Sequence, residues 1–263
     1  MPEKRKSSLL LTLGAAGLLI GGGAAAYWFL LQRNGGGSED LPVGANIIPQ
    51  DALIALSVST DDRQWQQLRQ YGTQQTQAEL EKNLAQLRDR FLTDNGYNYQ
   101  QDIKPWVGKE VTIALLPPTT VPQNGGSPQP PASSVPNPLA NAAEKQSIVM
   151  VLPIENPASA KQLLEQPKPL KQGKWSERNY KGLEIREIQG SPTQNYSAAL
   201  VDQRFLVVTD NPRATEKAID TYQGGAASLA QTVGYTKALS QIATPGRFAE
   251  VYVNVPAAAR VAA

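Results

Sequence analysis

The sequence predicts an α+β protein, with an N-terminal transmembrane helix followed by a mostly antiparallel sheet whose helices pack on one face. Three observations carry that prediction. Residues 9–31 form an uncharged apolar run. Later segments alternate apolar and polar residues with the period of two expected of strands. Four of those segments follow one another through turns too short for a crossover, which makes neighbours antiparallel.

The run from Leu9 to Leu31 is built of Leu, Ala, Gly, Ile, Tyr, Trp and Phe, with Thr12 its clearly polar member. At ~1.5 Å per residue it reaches about 35 Å, enough to cross a hydrocarbon core of about 30 Å. Lys4, Arg5 and Lys6 precede it and Arg33 follows, so the positive-inside bias keeps the tail 1–8 cytoplasmic and sends the rest outward. A cleaved signal peptide would share that start and could end at Ala24, Ala25 and Ala26. Tyr27, Trp28, Phe29, Leu30 and Leu31 prolong the run to a full span, which favours retention. The expected location is therefore the cytoplasmic or thylakoid membrane, crossed once, with the domain in the periplasm or lumen and the lipid bilayer as a partner. Gly14, Gly17 and Gly21 are candidates for a helix-helix contact with another membrane or envelope protein. The plainer reading is that Gly is common in membrane helices.

Residues 32–46, rich in Gly with Ser38, Glu39, Asp40 and Pro42, read as a flexible spacer, and the domain is expected over 47–263. Its first strand is Ala52 to Ser59. Thr60, Asp61 and Asp62 then cap a helix carrying Trp65 and Leu68. The two aspartates could instead hold a divalent cation, but no further acids follow at calcium-loop spacing. Thr76 to Glu79 matches a capping box, and Leu80, Leu84, Leu87 and Phe91 share one face of a helix ending at Asn95-Gly96. Tyr97, Tyr99 and Trp106 follow as an aromatic cluster suited either to a ligand groove or to packing against the sheet, the commoner use.

Glu110 to Leu116 is the second strand. Residues 117–146 are dense in proline and read as a disordered insertion. Ser147 to Leu152 resumes as a strand whose continuous apolar run implies cover on both sides. Asn156-Pro157 and Asn211-Pro212 each put a favoured cap before a favoured first helical residue. Between those helices Lys174 to Tyr180, Leu183 to Gln189, Tyr196 to Val201 and Arg204 to Thr209 form a meander, turning at Lys181-Gly182 and Asp202-Gln203. A last helix through Val233, Leu239 and Ile242 precedes the strand Phe248 to Val255. Residues 245–263 look like the start of a second repeat.

Composition narrows the chemistry. The chain has no cysteine and no histidine, which removes disulfides, thiolate nucleophiles, the usual general base near neutral pH and the commonest transition-metal ligand. No metal or cofactor is expected, and no catalytic residue can be named. The formal charge is only +2 and the basic residues cluster only near the N-terminus, so nucleic acid is not an expected partner. Neither a nucleophile elbow nor a phosphate-binding loop is present.

The stretches SVSTDDRQWQQLRQYGT (57–73), NLAQLRDRFLTDNGYNYQQDIKPWVGKEVTIALLPP (83–118), GGAASLAQTVGYTKAL (224–239) and FAEVYVNVPAAA (248–259) are similar to a cyanobacterial family of membrane-anchored envelope proteins, domain of unknown function three-three-five-two. That resemblance covers residues 45–263 and implies a tethered envelope protein, of which this chain would be a truncated member. It implies no activity and no site residue. Three functions fit the sequence: a non-catalytic interaction or scaffold module, which leads; a ligand-binding or sensing domain; and an Asp/Glu-dependent hydrolase, which would need two carboxyls facing one another in an open cleft.

Overall fold

The computed structural model describes residues 41–118, 146–165, 167–169, 173–189, 196–242 and 246–262. It is an eight-stranded sheet in the order β4-β5-β6-β7-β3-β2-β1-β8, antiparallel at every pairing. The strands are β1 (Ile54–Ser59), β2 (Glu110–Leu116), β3 (Ser147–Pro153), β4 (Lys174–Tyr180), β5 (Leu183–Gln189), β6 (Ser197–Val201), β7 (Phe205–Thr209) and β8 (Ala249–Val253). The helices are α1 (Asp62–Leu68), α2 (Gln74–Phe91), α3 (Pro157–Glu165), α4 (Pro212–Tyr222), α5 (Val233–Ile242) and α6 (Val255–Ala262).

Local chemistry sets most of the boundaries. Asn156 and Asn211 cap α3 and α4, accepting from the N–H groups of Ser159 and Arg213 at 3.2 and 3.0 Å, which satisfies donors the helix leaves unpaired. The expected box at Thr76 lies one turn earlier: the Thr73 N–H donates to Thr76 Oγ1 and the Thr76 N–H to Thr73 Oγ1, so α2 begins at Gln74. It ends at Phe91, and the chain runs through a 3-10 turn to Gly96, whose φ of 80° closes the segment. Asp202 and Gln203 both have positive φ, the geometry that lets a two-residue loop follow the twist of β6 and β7.

The fold expectation is corrected in two respects. Helices cover both faces of the sheet, not one. Alternation along β3 sends Val149 and Val151 to one core and Leu152, with Ile148 and Met150 against it, to the other, so each face has apolar surface that must be buried. On the first face lie α4, α5 and the segment 42–48; on the second lie the end of α2, the turn after it and α3. Second, the expected transmembrane helix is not among the elements seen: among the described residues no helix is long and apolar enough to cross a membrane. The run 9–31, with Gly14, Gly17 and Gly21, lies outside the described residues, as does most of the proline-rich stretch 117–146.

The end of the expected spacer is packed. Ala45, Ile47 and Ile48 are buried, and Val43 is held at both backbone groups, its N–H donating to Glu110 and its C=O accepting from Thr112. Gly44 sits against Val151 with φ +81°, and a Cβ there would fall 2.6 Å from Val151 Cγ1, too close for any side chain. At the other end β8 pairs with β1, Ile54 opposite Val253, so the strand expected to open a second repeat forms an edge of this sheet.

Candidate functional site

On the second face a half-open cleft of about 560 Å³ lies between the end of α2, α3 and the strands β3 to β7. Its floor is apolar: Met150, Leu152, Ala198, Leu200, Leu206 and Val208, residues that alternation on β3, β6 and β7 sends to this side. Phe91, Leu92, Leu163 and Leu164 form the helical walls. The volume falls within the range of small-molecule sites, roughly 300 to 1,000 Å³.

Polar groups gather at one end. Arg186 and Glu177 are direct cross-strand partners on β5 and β4, and both Nε and Nη2 of the guanidinium lie 2.8 Å from Glu177 Oε1. Nη2 is also 3.5 Å from Glu184, and Nη1 donates to the Leu164 carbonyl, tying the β4-β5 hairpin to α3. Tyr196 meets Trp175 edge to face, with centroids 5.6 Å apart, and the Trp175 indole N–H donates to the Lys168 carbonyl at 3.0 Å. Burial pushes the Tyr196 phenol well above its ordinary pKa, helped by neighbouring Tyr97 and opposed by Arg186. Tyr97 is pushed up as well, first by burial. Both hydroxyls keep their protons near neutral pH, and among the described residues no side chain accepts a hydrogen bond from either.

Beside them Lys168 lies 2.6 Å from Asp102 and 5.8 Å from the Tyr97 ring centroid. Burial opposes ionisation of Asp102, but the Asn98 N–H and the Lys168 ammonium outweigh it and hold the carboxyl below its ordinary pKa.

The aromatic cluster expected from sequence separates. Tyr97 lines the cleft, because Gly96 turns the chain back toward the sheet. Trp106 is core: it is 2% exposed, its indole donates to the Asp102 carbonyl, and its own carbonyl accepts from Glu155 and Asn156 at the head of α3. Tyr99 is half-buried against the same core, not in the cleft. Asp61 caps α1 and pairs with Arg63, and Asp62 pairs with Lys104, so both acids serve the helix start. Trp175, Arg186 and Tyr196 were missed. The signal for Arg186 was present, since a two-residue turn at Lys181-Gly182 sets Glu177 opposite it; what the sequence lacks is any sign of which face that pair occupies.

A family model described as protein of unknown function (DUF3352) matches residues 12–263. The chain belongs to this family. No curated protein and no solved structure matches it. The family model's match bears out the family read from the sequence, but not its cyanobacterial source or membrane anchoring, and brings no ligand or residue role.

Proposed function

We propose that this DUF3352 domain is a non-catalytic binding module that holds a small, largely apolar molecule in the cleft over β3, β6 and β7. The observation that carries the reading is the cleft itself, about 560 Å³ with apolar walls and polar groups at one end, the usual make-up of a ligand site. The acids near it are already engaged: Glu177 and Glu184 both contact Arg186. Away from it, Glu110 and Glu250 both contact Arg247, and burial, with Glu110 adding, pushes the Glu250 carboxyl above its ordinary pKa; neither acid lines the cleft. Titration of the purified domain with the uncharged dye N-phenyl-1-naphthylamine tests the reading. Saturable fluorescence enhancement that A198F abolishes, with the circular dichroism spectrum unchanged, is the expected result. No saturation, or equal binding by A198F, overturns it.

A second reading, a protein-interaction module, is favoured by the outer edge of β8, which pairs with no strand among the described residues. Val251 and Val253 there, and Val255 just beyond, are 38%, 46% and 67% exposed, and an edge strand with apolar side chains can pair with a partner's strand. Val251→Lys should then abolish co-purification of that partner. The absence of cysteine fits a location outside the cytoplasm, which protease accessibility on intact cells tests.

A further inference from the structure

We infer that the cleft selects an uncharged, mostly hydrocarbon molecule ending in a hydrogen-bond-accepting oxygen, such as an ester, ketone or alcohol, and discriminates against the anion of equal length. The inference rests on the binding reading above and names the class of ligand.

Charge at the polar end decides it. Arg186 is the one cation among the described residues lining the cleft, against Glu165, Glu177 and Glu184. Its guanidinium, the fork that would grip an incoming carboxylate, is spent on Glu177, Glu184 and the Leu164 carbonyl. Lys168 stands nearby, but Asp102 holds its ammonium at 2.6 Å. A ligand carboxylate would therefore lose its hydration beside an excess of negative charge, with no uncommitted cation among the described lining residues to compensate. Tyr196 and Tyr97, which line the cleft, offer something different: protonated hydroxyls able to donate to a neutral oxygen.

Displacement of bound N-phenyl-1-naphthylamine at pH 8 by methyl dodecanoate and by dodecanoate, each below its aggregation limit, is the test. The ester should displace the dye at about a tenfold lower concentration than the anion. In the double variant E177Q/E184Q, Arg186 loses both ion pairs and the cleft two negative charges, and dodecanoate should come within about threefold of the ester. Tyr196→Phe should weaken the ester about fivefold more than it weakens the dye. Dodecanoate matching or surpassing the ester on the unaltered protein overturns the inference, as does failure of both to displace a dye that binds; either leaves the binding reading standing. Failure of the dye itself to bind removes both.

Discussion

On one face of the sheet, α4, α5 and the segment 42–48 close over Val149, Val151, Val201 and Val207 until each is fully excluded from solvent. On the other, α2 and α3 stand over Met150, Leu152 and Leu206 and leave a cleft. Both faces are apolar, so hydrophobicity does not separate them. The covering helices do: α4 packs Ala214, Ala218 and Ile219 into the closed core, whereas on the other face Phe91, Leu163 and Leu164 stand as walls of the cleft. The closed face is packed without solvent access at these positions, and the other keeps a cleft.

Four substitutions would break or sharpen that contrast. The largest effect is expected from Ile219→Ala on α4, fully buried on the closed face, at about 3 kcal/mol in urea unfolding. Leu164→Ala, at the half-buried wall of the cleft, should cost less than about 1.5 kcal/mol, because the removed atoms border space already open to water; equal costs would mean that the cleft is closed in solution. Next, Ala218→Leu should overpack the closed face by about 2 kcal/mol. Ala198→Leu, pointing into the cleft, should cost under about 1 kcal/mol and weaken dye binding instead.

Asp102→Asn should cost about 1 kcal/mol, allowing for solvent screening of the half-exposed Lys168. Because the folded-state pKa of Asp102 is depressed from 3.8, its stabilisation is complete above about pH 4 and is lost as pH falls through the lower folded value. A plot of stability against pH for D102N should therefore lack part of the acid decline of the parent protein. A smaller effect still, somewhat under about 1 kcal/mol, is expected when Asn211 or Asn156 is changed to Ala. If the two faces differ in rigidity, thermal unfolding should register the α4 cap, on the closed face, more than the α3 cap.

Much of the fold was legible because its signals are local. The strands Glu110–Leu116, Lys174–Tyr180 and Leu183–Gln189 appear with the bounds expected from alternation and turn residues, and both Asn-Pro caps stand where they were read. The expectation that both sides of the third strand are covered also holds, yet cover on one face alone was inferred for the sheet as a whole. Those two readings conflict, and the continuous run from Ile148 to Leu152 was the better guide. The site was less legible. Tyr97, Tyr99 and Trp106 are close in sequence and similar in chemistry, but Gly96 and the turn through Ile103 send Tyr97 to the cleft and Trp106 to the core.

By itself, the sequence determined most of the strands and their turns, the two Asn-Pro helix caps and the exclusion of thiol and imidazole chemistry, since each follows from residue identity and spacing over a few positions. Only the tertiary structure decided that Arg186 would be spent on Glu177, Glu184 and the Leu164 carbonyl, that Tyr196 would lie near Tyr97 at one end of an apolar cleft, and that Trp106 would be packed out of reach. Those outcomes depend on how closely each helix can approach the sheet. That distance is set by side chains far apart in the chain.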